Sequence, residues 1–192
     1  MYALSAGLPQ SYPYQLLQML SSRYTGQTIE THNAGAPGEY ANEGRDRLGG
    51  VLREASPELL LLMEGANDLN NMAHLRDGPI NEAIQKVVDA IEDMVREAQG
   101  RGVTVMVGTL PPQRPGSPKG GGAAFLDRYN NGLRTMASKK GAILVDVNVE
   151  FPLSLIGQDG LHPTDEGYRR IAEIFQNAIA SRYETPPSAV RP

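Results

Sequence analysis

The chain has no cysteine and no tryptophan in 192 residues, and only three phenylalanines. Without cysteine it forms no disulfide and no thiolate metal site. Its three histidines, His32, His74 and His162, lie far apart and show no zinc-ligand spacing. No metal and no organic cofactor is expected. There is no basic excess: the formal charge is −4, with lysine and arginine scattered, so no nucleic-acid partner is implied. No apolar run approaches the ~18 residues of a membrane span. No signal-peptide pattern stands at the start, and the localisation is left open. No internal repeat and no second compositional block is visible. What remains fits one domain with a full hydrophobic core. Residues 1–183 are assigned to that domain and 184–192 to a Pro-rich, loosely ordered tail.

Within the domain, helical and strand patterns alternate. Ser11 to Tyr24 predicts a helix, with Ser11 as cap, Pro13 in the first turn and Leu16, Leu17, Met19 and Leu20 on its apolar side. A strand is expected over Gln27 to His32 and a helix over Glu43 to Ala55. Leu59 to Met63 is an apolar run too short for a helix and bounded by Pro57 and Gly65, the pattern of a strand buried on both faces. Pro79 to Gln99 carries Ile80, Ile84, Val87, Val88, Ile91, Val95 and Ala98 at helical spacing and ends at Gly100. Val103 to Thr109 and Ala142 to Val147 predict strands, Ala123 to Lys140 and Thr164 to Tyr183 helices. Strands separated by amphipathic helices imply βαβ units, a parallel sheet and helices on both faces. Ligands of such sheets sit at the carboxyl ends of the strands.

Three short segments fall at those ends: Asn33 to Tyr40, Gly65 to Asp68 and Asp159 to Pro163. The last is the most telling. Asp159-Gly-Leu-His162-Pro163 sets a carboxylate three residues before an imidazole, just ahead of a helix. A histidine so partnered can act as general base toward a hydroxyl, the aspartate fixing its tautomer. Against this, Asp-Gly is a common turn pair. Loop 110–122, rich in proline and glycine, is long for a βα connection and reads equally as a substrate-side flap or a plain surface loop. His32 reads as a strand-end residue and His74 as exposed.

Together, Asn33-Ala-Gly-Ala-Pro-Gly38, Gly65-Ala-Asn67-Asp68 and Asp159-Gly-Leu-His162-Pro163 resemble three of the four signature blocks of the SGNH (GDSL) hydrolases, in order and over nearly the whole chain. The resemblance implies a three-layer α/β/α, flavodoxin-like fold and hydrolysis of carboxylic esters through an acyl-serine intermediate. It makes His162 the base and Asp159 its partner. It makes Gly38 and Asn67 oxyanion donors, beside their plain readings as a turn glycine and a helix cap. Asp68 is given a structural role. The expected substrate is a small-molecule acyl ester: a short-chain ester, acetylated sugar, lysophospholipid or thioester.

The fourth block of that pattern, Gly-Asp-Ser, occurs nowhere in the sequence. The resemblance therefore implies that the family nucleophile and the first, interior strand are missing, as in an N-terminally truncated form. Ser5 is the nearest substitute nucleophile in sequence, with Ser117 and Ser154 weaker candidates. Four strands are expected where the family has five. The vacant position exposes backbone edges at Gln27–His32 and the apolar run Leu59–Met63, which implies self-association or a slot filled by the chain's own N-terminal residues. The competing reading is a non-catalytic relic that binds acyl or carbohydrate esters.

Overall fold

A computed structural model of the chain describes residues 9–73 and 79–184. Ser5, His74 and the tail residues 185–192 lie outside the described residues. Three strands, β1 (Leu59–Leu62), β2 (Thr104–Gly108) and β3 (Ile143–Val145), form a parallel sheet in the order β1-β2-β3. Leu60 faces Val105 across the first pair, and Val107 faces Leu144 across the second. The strands alternate with helices α1 (Tyr12–Arg23), α2 (Ala41–Ala55), α3 (Ala66–Met72), α4 (Ile80–Gly100), α5 (Leu126–Lys140), α6 (Val147–Glu150) and α7 (Asp165–Tyr183).

The apolar pattern sorts the helices into layers. On β2, Val105 and Val107 point into one core and Met106 into the other, as a period of two requires. The first core takes Leu48 and Leu52 of α2, Ile84, Val88, Ile91 and Val95 of α4, and Tyr129, Leu133 and Met136 of α5. The second takes Leu16 and Leu20 of α1 and Ile171, Ile174, Phe175 and Ile179 of α7. The fold is thus three-layer α/β/α, as the alternation implied. Each fully buried Leu, Ile or Val in these cores contributes roughly 1.5–3 kcal/mol of transfer free energy before entropy is counted.

Local signals explain the boundaries. Thr164 caps α7, its hydroxyl accepting from the Gly167 N–H at 3.1 Å, with Asp165 and Glu166 in the first turn. Gly141 ends α5 in the left-handed region, at φ 64°. Buried Asn130 bonds both the N–H and the C=O of Leu110, each at 3.0 Å, and so fixes where the chain leaves β2.

The expected strand over Gln27–His32 does not form, so the described sheet has three strands rather than four. Residues 28–36 carry no regular secondary structure. Their polar alternation suits a strand, but a strand exists only as part of a ladder, and the described sheet ladder does not include this segment. Ile29 packs on the α1–α7 core and the Thr31 hydroxyl donates to the Pro13 carbonyl at 3.4 Å. His32 is accordingly not at a strand end. Helix α5 begins at Leu126 rather than Ala123, because Gly121–Phe125 forms a 3₁₀ turn first. The extent of helix α3 has no sequence signal beyond the helix-cap reading of Asn67; seven residues are too few for a periodic pattern.

Candidate active site

Two groups of residues gather at the carboxyl ends of the strands. The first is the Asp159–His162 segment. Ile156 and Pro163 form an isolated antiparallel bridge, and Gly157 N–H donates to the His162 carbonyl at 2.8 Å, closing a tight loop between them. Within it Gly160 takes φ 85°, and a Cβ there would lie 2.3 Å from the Ser117 Cβ, so only glycine fits. Asp159 Oδ1 accepts the N–H groups of Leu161 and His162 at 3.1 and 3.0 Å, while Oδ2 meets His162 Nδ1 at 2.5 Å. The hydrogen bond to His162 leads in holding the Asp159 carboxyl down at about 2, helped by the two backbone donors. With Nδ1–H engaged by the carboxylate, Nε2 is left as the basic nitrogen of an exposed ring.

Loop 110–122 is bonded to the Asp159 segment at several points. Arg114 N–H donates to the Gly160 carbonyl at 2.9 Å and Lys119 N–H to the Asp159 carbonyl at 2.7 Å. The Arg114 guanidinium reaches the Ile156 carbonyl at 2.8 Å, and Lys119 Nζ stands 3.8 Å from Asp159 Oδ2. The loop laces the carboxylate's segment in place. Ser117 lies in it and Ser154 in the 3₁₀ turn Leu153–Leu155; neither is hydrogen-bonded to His162 among the described residues.

The second group joins Gly38 to Asn67. Gly38 has φ 80° in a turn closed by Glu39 N–H donating to the Ala36 carbonyl at 3.3 Å. The Asn67 side-chain amide donates to the Glu39 carbonyl at 2.9 Å, so the turn and the start of α3 are tied together. Asn67 is not a cap; Gly65 holds that position without a side-chain bond. Asp68 does serve structure: its Oδ2 accepts from Ala41 N–H, the first of α2, at 3.0 Å. Gly65 takes φ 102°, and a Cβ there would strike Tyr129 Oη at 2.5 Å. That hydroxyl donates to the Glu64 carbonyl at 2.8 Å.

Beneath the turn lies a charged network that sequence reasoning missed. Glu39, its side chain only 7% exposed, is gripped in two places by the Arg47 guanidinium. Glu64 follows β1, and burial, then the nearby Glu39 charge, raises its carboxyl to about 7. The signal for it was a lone acid ending an apolar strand.

No hydrogen bond links the Asp159–His162 group to the Gly38–Asn67 group among the described residues. A depression of about 640 Å³ lies between α1 and α7, lined by Gln15, Asp165, Arg169 and Glu173; Gly38, Asn67, Asp159 and His162 are not among its lining residues. Among the described residues no three His, Asp or Glu side chains converge as a metal site would need, and no helix is long and apolar enough to cross a membrane.

A model of the GDSL-like lipase/acylhydrolase family matches residues 3–170. A multidomain esterase of Ruminococcus flavefaciens is 28% identical over 160 residues, 81% of this chain but 20% of that protein's length. An arylesterase of Vibrio mimicus is 26% identical over 187 residues, 92% of this chain and 84% of the relative. Among solved structures, an acetyl xylan esterase from Geobacillus stearothermophilus, in a variant form, superposes with a TM-score of 0.74 at 18% identity, covering 93% of this chain and 84% of the other. A second acetyl xylan esterase gives 0.74 at 19% identity, covering 91% and 93%. At these identities the solved structures speak to the fold.

Proposed function

Since this chain belongs to the GDSL-like lipase/acylhydrolase family, we propose that it carries the site of a carboxylic ester hydrolase, with Asp159 and His162 as the acid–base pair and Gly38 and Asn67 as oxyanion donors. His162 Nε2 would take the proton of a serine hydroxyl as that oxygen attacks the ester carbonyl. The Gly38 N–H and the Asn67 amide would receive the negative charge that develops on the carbonyl oxygen. Collapse expels the alcohol, protonated by His162, and leaves an acyl-serine. Water, activated by the same nitrogen, then releases the acid and frees the serine. The observation that carries this reading is the Asp159–His162 contact at 2.5 Å, which orients the ring and engages Nδ1 rather than Nε2.

The relatives named above support esters with a small acyl group, acetylated sugars or aryl esters foremost. The exposed setting of His162 suits a bulky alcohol portion. The nucleophile is the unassigned member: Ser5 lies outside the described residues, and the sequence holds no Gly-Asp-Ser. That absence favours a second reading, an ester-binding protein without turnover. p-Nitrophenyl acetate separates the two. The 192-residue chain should hydrolyse it little above background, since losing a nucleophile removes on the order of a million-fold in rate. Placing a strand ending in Gly-Asp-Ser-Leu-Thr-x-Gly ahead of Tyr2 should produce turnover that depends on His162. Turnover in that form surviving His162→Ala would defeat the hydrolase reading. Robust turnover of the unextended chain that disappears with Ser5→Ala would instead make Ser5 the nucleophile.

Self-association is proposed as well. Among the described residues β1 pairs only with β2, and Leu59, Leu61 and Met63 are only half-buried. A copy adding a strand there would cover them. Light scattering over a concentration series should show a dimer or larger; a monomer at every concentration would refute it.

A further inference from the structure

Glu64 is a half-buried acid that the proposed chemistry does not use. It stands where β1 gives way to Gly65, three residues before α3's Asn67. Its Oε2 is sealed from solvent and has no hydrogen-bond partner among the described residues. An ionised carboxylate tolerates such a place poorly, because burial removes hydration and nothing replaces it. The space is made by Gly44 on the facing side of α2. A Cβ on Gly44 would lie 2.7 Å from Glu64 Oε2 and 3.6 Å from Glu39 Oε2, so both carboxyls converge on the bare face of that glycine. Glu39 in turn has its carboxylate gripped by Arg47 and its carbonyl engaged by Asn67.

We propose that Glu64 is a positioning residue: it shares a proton with Glu39 over the bare face of Gly44 and thereby holds the Gly38–Tyr40 turn on the Asn67 amide. With the proton present, Glu64 donates to Glu39 and the two acids carry one negative charge, matched by Arg47. Without it, two carboxylates face each other over one guanidinium, and the repulsion is relieved by moving Glu39, whose backbone is the bridge between Gly38 and Asn67. The other groups around Glu64 do not remove this conflict. Asp68 on α3 adds to the negative charge, while Tyr12 on α1 and Tyr129 on α5 are hydroxyls held neutral by burial. The donors of the proposed oxyanion hole are therefore coupled to pH through a group that never touches the substrate.

The inference rests on reading Gly38 and Asn67 as the oxyanion donors, but its test needs no turnover. The Asn67 side-chain amide and the Gly38 amide are followed by ¹⁵N–¹H resonance from pH 5 to 9, with the Glu64 carboxyl carbon followed in parallel. Both amides should shift with the Glu64 carboxyl, at a midpoint of about 7. Glu64→Gln, which keeps the donor and cannot ionise, should leave both amides at their low-pH positions throughout. Glu39→Gln should lower the Glu64 midpoint, since a like charge is removed. Gly44→Ala, which wedges a methyl between the carboxyls, should uncouple the amides from Glu64. Amides that stay still while Glu64 titrates, or that shift equally in Glu64→Gln, would overturn the inference. So would a Glu64 carbon titrating in the ordinary carboxylate range. Coupled amides together with undiminished turnover of Asn67→Ala in the Gly-Asp-Ser-extended form would instead refute the oxyanion reading alone.

Discussion

Asp159 and Glu64 are both carboxyls beside a proposed catalytic group, and their surroundings push them in opposite directions. Asp159 accepts two backbone N–H bonds and the imidazole, all of which favour its charged form. Glu64 has one oxygen sealed away unpartnered and a like charge nearby, which favour its neutral form. The folded chain therefore binds a proton less readily than the unfolded chain at Asp159, and more readily at Glu64. The stability Asp159 contributes is present above the ordinary carboxylate range and is lost as pH falls toward about 2. Glu64 works the other way: stability falls as pH rises from the ordinary range through about 7. One half of the site is built to keep a charge in place, and the other to limit how many charges meet.

The comparison is broken most severely at the charged half. In a form that turns over ester, Asp159→Asn should lower kcat about 10⁴-fold, because an amide disfavours the required imidazole tautomer. A fall of less than tenfold would show that the Asp159–His162 contact has no part in the chemistry. At the other half, Asn67→Ala should cost roughly 10²–10³ in kcat, the usual loss for one oxyanion donor. The smaller loss is expected because a donor is one of several, whereas the tautomer has one guardian.

Two stability measurements sharpen the contrast further. Gly160→Ala forces a side chain into the left-handed region and against Ser117, so urea unfolding should show a loss of about 1–3 kcal/mol. An unchanged midpoint would mean that loop 110–122 does not clamp the Asp159 segment. Thr164→Ala, which removes only the α7 cap behind His162, should cost about 1 kcal/mol. A loss as large as that for Gly160→Ala would place the support of the segment in the helix start rather than in the loop.

These differences track what could be seen in the sequence. The Asp159–His162 contact spans three residues, and its bonds are made within one turn, so the five-residue phrase nearly determines its geometry. The long helices and the apolar strands were likewise legible, because periodicity is a local property. The donor half is made of bonds between distant residues: Asn67 to Glu39, Ala41 to Asp68, Tyr129 to Glu64. No spacing announces them. Glu64 showed only as an acid closing an apolar run, and Gly44 as an unremarked helix glycine. The segment 27–32 misled for the same reason. Its alternation is local, whereas strand formation depends on a neighbour that the alternation does not specify.

The opposed titration of the two carboxyls is the most direct measure of this account. Carboxyl ¹³C shifts of Asp159 and Glu64, recorded on one sample from pH 2 to 9, should give a midpoint of about 2 for Asp159 and about 7 for Glu64. Two curves overlapping in the ordinary carboxylate range would contradict it, since neither the imidazole contact nor the sealed acid could then exist as described.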